Sequence, residues 1–169
     1  GGSRRRLLVS GDVGKYDDAF MRDPQPPSEV VDYLLVEPTY GDRLHDDVKL
    51  EEQLAAAVHR AVERGGVLLV PAFAVGRTQE MLFHLARMER AGTIPVLDVY
   101  VDSPMAVDAT GIYVRHREDL NFEGAGEVSL LRTRRTHFVR DCSASKALAA
   151  VEGRAIILSA SGMATGGRI

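Results

Sequence analysis

The chain has 169 residues, 45% of them hydrophobic and 27% charged, with a formal net charge of −3. That much apolar content suits one globular domain with a real core and argues against disorder. No run approaches the about 20 apolar residues that cross a bilayer, and no overall basic field exists for indiscriminate coating of nucleic acid, so any polyanion must be held by a local cluster.

Before the first strand, Gly1-Gly2-Ser3 reads as an appended leader, with native sequence starting near Arg4 at the edge of a strand. So abrupt a start hints at truncation. A lone cysteine, Cys142, excludes an internal disulfide framework and a cysteine-only metal site, and reads as a small hydrophobe in a reducing compartment. With no apolar leader behind the N-terminal arginines, the expectation is a cytoplasmic protein without membrane contact.

In chain order, Leu7-Leu8-Val9 and Tyr33-Leu34-Leu35-Val36 read as strands. A helix starts near Val48, with Asp46 and Asp47 at its mouth, carries Leu50, Leu54, Val58 and Ala61 inward, and stops at Gly65-Gly66. Val67-Leu68-Leu69-Val70 is wholly apolar, which suits a strand covered on both faces, and Pro71–Arg77 reads as a loop. The cycle repeats with a helix over Gln79–Arg90, with Leu82, Leu85 and Met88 inward and Gly92 as its stop, and a strand over Val96–Val101. Next come a helix from about Met105 to His116 and an irregular stretch with Gly124 and Gly126. A last unit holds a strand over Thr136–Val139, a helix from about Ser145 to Val151 and the strand Ala155-Ile156-Ile157-Leu158. Strands alternating with helices predict an α/β fold, a mostly parallel sheet flanked by helices, joined by right-handed crossovers.

Three segments share one design, an apolar strand followed by small or polar residues and a helix start: Pro71–Arg77, Asp102–Met105 and Ser159–Met163. In a parallel sheet all three emerge at the carboxyl ends of strands, where helix N-termini offer N–H groups to anions. They form either a phosphate-binding rim or plain tight turns, with Ser103-Pro104 an ordinary helix start. Strict phosphate-loop and dinucleotide fingerprints are absent, which disfavours nucleotide hydrolysis of that kind. Five histidines, His45, His59, His84, His116 and His137, lack the spacing that puts two imidazoles on one metal. Arg132, Arg134, Arg135 and Arg140 form the one basic cluster, read as a solvated edge strand or a phosphate contact. Asp12 and Glu37 each follow a strand and could face one site, where paired carboxylates bridge metals or orient water; the other reading of both segments is turn chemistry.

The same segments, in this order, resemble the β-CASP branch of the metallo-β-lactamase superfamily, and the GRTQE and DSPMA forms look closer to bacterial and archaeal relatives of the pre-mRNA 3′-end cleavage endonuclease. SGDVGKYDDAFMRDP resembles the fourth metal motif, which implies that Asp12 bridges two zinc ions. VDYLLVEPTYGDRLH resembles motif A, which gives Glu37 the role of the acid that positions a downstream catalytic histidine. PAFAVGRTQEMLFHL, VYVDSPMA and IILSASGMATGGRI resemble the core blocks of the β-CASP insert. The resemblance implies residues 1–45 as the edge of a metallo-β-lactamase domain and 46–169 as a β-CASP domain truncated at its C-terminus. It implies a zinc-dependent ribonuclease with Asp12 and Glu37 in the catalytic site and RNA, single-stranded, in a cleft. Arg77, Ser103, Ser161 and Gly162 are the candidate backbone-phosphate contacts.

The HxHxDH motif and the downstream motif histidines are missing, and Pro38 stands where relatives usually have Ser. The expectation is that this chain alone is inactive, holds no zinc by itself and works with the missing halves of the metal domain, with a homodimer among the assemblies allowed. The competing readings are a non-catalytic RNA-binding or scaffolding module and a DNA-processing nuclease.

Overall fold

A computed structural model describes residues 4–44, 49–121 and 131–160, and the chain divides into two compact units, Gly1–Asp47 and Val48–Ile169. The first unit is built on two short parallel strands, β1 (Leu7–Val9) and β2 (Tyr33–Leu35), in register Leu7↔Tyr33 through Val9↔Leu35. Polar side chains organise what lies around them. Asp32 accepts the Arg6 N–H at 2.8 Å, and Arg6 pairs with Glu29 at 3.0 Å. In the connection, Asp18 accepts the N–H groups of Phe20 and Met21 and pairs with Lys15, and Phe20 is buried.

The second unit carries a parallel four-stranded sheet in the order β3-β6-β4-β5: β3 (Val67–Ala72), β4 (Asp98–Asp102), β5 (Thr136–Val139) and β6 (Ala155–Ala160). The expected α/β class and parallel sheet are therefore found, with every described strand pair parallel. Its helices are α1 (Leu50–Glu63), α2 (Arg77–Ala91), α3 (Pro104–Arg115) and α4 (Cys142–Ala147). None of the described helices is long and apolar enough to cross a membrane.

One face of the sheet (Leu68, Val70, Val99, Val101, Ile156, Leu158) packs on Ala55 and Val58 of α1, Leu82, Leu85 and Met88 of α2, and Ala106 of α3. The other face (Tyr100, Val139, Ile157) packs on Ala144 and Leu148. This split follows from handedness. The connections β3→β4→β5 run one way across the sheet and β5→β6 runs back, so right-handed crossovers must lie on opposite faces.

Several boundaries differ from the sequence expectation. The doubly covered strand is β6, buried from Ala155 to Ser159, whereas β3 lies at the sheet edge with Leu69 exposed. That edge position lets β3 run on through Pro71, whose missing N–H is tolerated where only one side of a strand is paired. β4 begins at Asp98, two residues later than the expected Val96. The last helix starts three residues early, at Cys142, because Asp141 caps it by accepting the Ala144 N–H at 2.7 Å. It ends in a 3-10 turn at Leu148–Ala150. Cys142 is exposed rather than packed as a small hydrophobe. Asp46, Asp47, Gly124 and Gly126 fall outside the described residues.

Candidate functional site

In the first unit, Asp12 and Glu37 do lie on neighbouring loops, one after each strand. The carboxylate of Glu37 accepts the Val13 N–H at 3.3 Å and the Thr39 N–H at 2.8 Å, so one side chain spans both loops. Ser10 adds a second tie, its hydroxyl accepting the Glu37 N–H at 3.1 Å and donating to the Gly11 carbonyl at 2.6 Å. Gly11 has φ +59°, a conformation that glycine adopts without strain. The effect is to hold Asp12, set between Gly11 and Val13, with its side chain exposed.

Hydrogen bonds from the Thr39 hydroxyl, the Thr39 N–H and the Val13 N–H keep the Glu37 carboxyl below its ordinary pKa, so it is ionised at neutral pH and serves as an acceptor rather than an acid. Pro38 fits this turn without its N–H. Its carbonyl accepts the Gly41 N–H at 3.0 Å, and the donor to Glu37 comes from Thr39.

In the second unit, the carboxyl ends of the strands fall in register: Ala72 beside Ala160, Ser159 beside Asp102, and Asp102 beside Val139. The segments after β3 and β4 therefore leave one edge of the sheet, as expected. Asp102, Ser159 and Ala160 belong to the strands themselves rather than to loops. Ser103 is the N-cap of α3: its buried hydroxyl accepts the Ala106 N–H at 3.1 Å, with Pro104 in the first turn. Arg77 opens α2, and its exposed guanidinium donates to Glu80 at 2.6 Å. Ser161 and Gly162 lie outside the described residues.

The first turn of α2 is largely satisfied from within. The Gly76, Arg77 and Thr78 N–H groups donate to Gln79 Oε1, the Val75 carbonyl and the Phe73 carbonyl respectively. Sequence reasoning missed Gln79, whose Nε2 lies 3.2 Å from the Ala74 and Ala106 carbonyls and 3.0 Å from Thr110 Oγ1. A polar residue on the inward stripe of Leu82 and Leu85 was the signal for it. Asp102 is likewise buried and accepts from Ser145 at 2.8 Å.

The basic cluster lies beside β5, an edge strand, and two of its guanidiniums are engaged by carboxylates, Arg135 with Asp98 at 2.7 Å and Arg140 with Asp108 at 2.8 Å. His137 stacks on Tyr100 and bonds Asp98, His84 is buried against Glu51, and His59 reaches the Thr93 carbonyl. Among the described residues, His116, Glu118 and Asp119 bring three donor atoms within 4.8 Å of one another on an exposed turn.

Residues 78–169 match the Beta-Casp domain family model, more than half of the chain. The chain belongs to the β-CASP family. It is 33% identical to Ribonuclease TTHA0252 of Thermus thermophilus across 99% of its own length and 39% of that protein's. It is 28% identical to an RNase J-like protein of Methanocaldococcus jannaschii, over 98% of this chain and 39% of the relative. Transcription termination factor FttA of Methanosarcina mazei is 36% identical over 72% of the chain and 19% of the relative. This β-CASP chain thus spans about two-fifths of the length of the first two curated relatives.

Proposed function

We propose that this chain is the substrate-binding part of a zinc-dependent ribonuclease that hydrolyses RNA phosphodiester bonds. The observation that carries the reading is the Glu37 brace, which ties the two loops together and leaves Asp12 exposed between them. Relatives named as a ribonuclease and an RNase J-like protein, each matching nearly the whole chain, support the same class of activity.

The donor set bears on the metal. Zinc takes about four donors, of nitrogen, oxygen or sulfur, and Asp12 supplies a carboxylate oxygen of the right kind on a braced loop. One carboxylate fits a shared site as one contributor and does not hold an ion alone. When bound there, zinc supplies charge neutralisation at the phosphate and lowers the pKa of water. The chain's own residues do the rest: Asp12 contributes a ligand, and ionised Glu37 fixes the loops while offering spare lone pairs to an imidazole N–H. Arg77, whose exposed guanidinium also pairs with Glu80, is the candidate contact to the RNA backbone, and Ser103 would act through the α3 N-terminus that it caps, while Ser161 and Gly162 are candidates from the sequence alone.

The β1–β2 pair leaves Leu7, Val9, Tyr33, Leu34 and Leu35 exposed, and two parallel strands do not stand alone, which supports completion of that sheet by the rest of a metallo-β-lactamase domain.

The test is RNA cleavage by the intact protein. Asp12→Ala should abolish zinc-dependent turnover while Glu37→Gln lowers it more mildly; a normal rate for Asp12→Ala would remove this residue from the site. Cleavage of single-stranded DNA but not RNA would move the substrate class.

A further inference from the structure

We propose that Phe73, on a segment that also exposes Val75, is a stacking platform for one unpaired nucleobase of the bound strand, a role that rests on the RNA reading above. Three large apolar side chains stand out on the carboxyl edge of the sheet: Phe73 is 63% exposed, Val75 57% and Met105 65%. Phe73 and Val75 leave β3 and Met105 opens α3, and one side chain joins the two segments, since Gln79 Nε2 reaches both the Ala74 and the Ala106 carbonyls at 3.2 Å.

Rigidity is what distinguishes this patch from scattered surface hydrophobes. The Phe73 carbonyl accepts both the N–H and the hydroxyl of Thr78, at 3.2 and 2.8 Å. Val75 is closed by the Arg77 N–H at 3.2 Å around Gly76, whose φ of 83° and ψ of −74° form a tight γ-turn that a side chain would strain. The loop is therefore ordered before any ligand arrives, and a ring presented on it costs little entropy to use.

Size and charge select the occupant. A protein partner needs about 800 Å² on each side, far more than three side chains give, whereas one phenyl ring matches one base. Arg77, four residues along the chain, has an exposed guanidinium that pairs with Glu80 at 2.6 Å, and the sugar-phosphate chain of a stacked nucleotide would compete with that carboxylate for it. Aromatic stacking needs an unpaired base and tolerates any sequence, so the platform selects single strands over duplex without reading sequence.

The experiment titrates the chain into a labelled short oligouridylate, and into the same RNA with one abasic position. Phe73→Ala should weaken binding of the intact RNA by about ten-fold, the scale of one lost stack, while Phe73→Tyr retains it. The abasic RNA should bind wild type more weakly and Phe73→Ala no worse than intact RNA does, a coupling that a folding defect would not produce. Unchanged binding by Phe73→Ala, or equal binding of the abasic RNA, overturns the platform and leaves the RNA reading in place. No binding of either RNA by the wild type overturns both. Loss of self-association in Phe73→Ala, seen by sedimentation without RNA, would assign the patch to a second copy and overturn the proposal.

Discussion

Gln79 has no exposed surface and yet is polar, and its amide is matched on both ends: Oε1 accepts the Gly76 N–H, and Nε2 faces the Ala74 and Ala106 carbonyls and the Thr110 hydroxyl. Truncation would take a partner from the half-buried Gly76 N–H and from the buried Thr110 hydroxyl and open a gap between α2 and α3, and each lost hydrogen bond at a site closed to water costs about 1–3 kcal/mol. Gln79→Ala is expected to destabilise the protein by about 2–4 kcal/mol, read as a lower urea midpoint at unchanged slope. It should also speed proteolysis between Phe73 and Gly76. Such a hub is hard to see in a sequence, because its partners at Ala106 and Thr110 are far along the chain. Asp12 and Glu37 were legible for the opposite reason. Each follows directly on an apolar strand, so chain order alone brings both to strand ends, and the structure adds only the hydrogen bonds between their loops.

Between elements, α1 and α2 are clasped by Glu51, which accepts from His84 Nδ1 at 2.9 Å and Arg87 Nε at 2.7 Å. Partial burial pushes the Glu51 carboxyl up, but hydrogen bonds and charge from Arg87 and His84 outweigh it and hold the group below its ordinary pKa. A depressed pKa means that the clasp's stabilisation is present above the unfolded value and is lost as pH falls through the folded one. Thermal melts should therefore fall more steeply on the acid side, below the usual carboxylate range, for wild type than for Glu51→Gln. The difference is expected to stay under about 1 kcal/mol, since the group is part exposed and screened. Identical acid limbs for the two proteins would show that the clasp contributes nothing.

At this scale periodicity served well for α2, where Leu82, Leu85 and Met88 face inward as their spacing requires, and in part for α1, where Val58 is buried but Leu50, expected on the same stripe, is exposed in the first turn. It served less well where local rules compete. An Asp at position 141 is a capping residue, and it moved the start of α4 to Cys142. The covered strand could not be told from the edge strand, because Val67–Val70 and Ala155–Leu158 are equally apolar and only topology separates them.

For the molecule as a whole, the two units differ in how much holds them. The second has a four-stranded sheet covered on both faces, the first a two-strand pair with most of its apolar side chains exposed. Hydrogen exchange is expected to show slow amides in β4 and β6 and fast ones in β1 and β2; equal protection in both would contradict this ranking. The isolated chain is expected to show no zinc-dependent RNA cleavage, and turnover at the level of an intact enzyme would refute the shared-site reading.

The order β3-β6-β4-β5 has a consequence in time as well as in space. The strand that sits between β3 and β4 is Ala155–Ala160, which a ribosome delivers after the other described strands. Until it arrives, β3 has no neighbour in the sheet, and the apolar faces of α1 and α2 have no floor beneath β3. The nascent chain therefore waits with these strands apart, their closure set by loop entropy rather than by local helix formation, and this sheet is most open to chaperones and to misassociation just before β6 emerges.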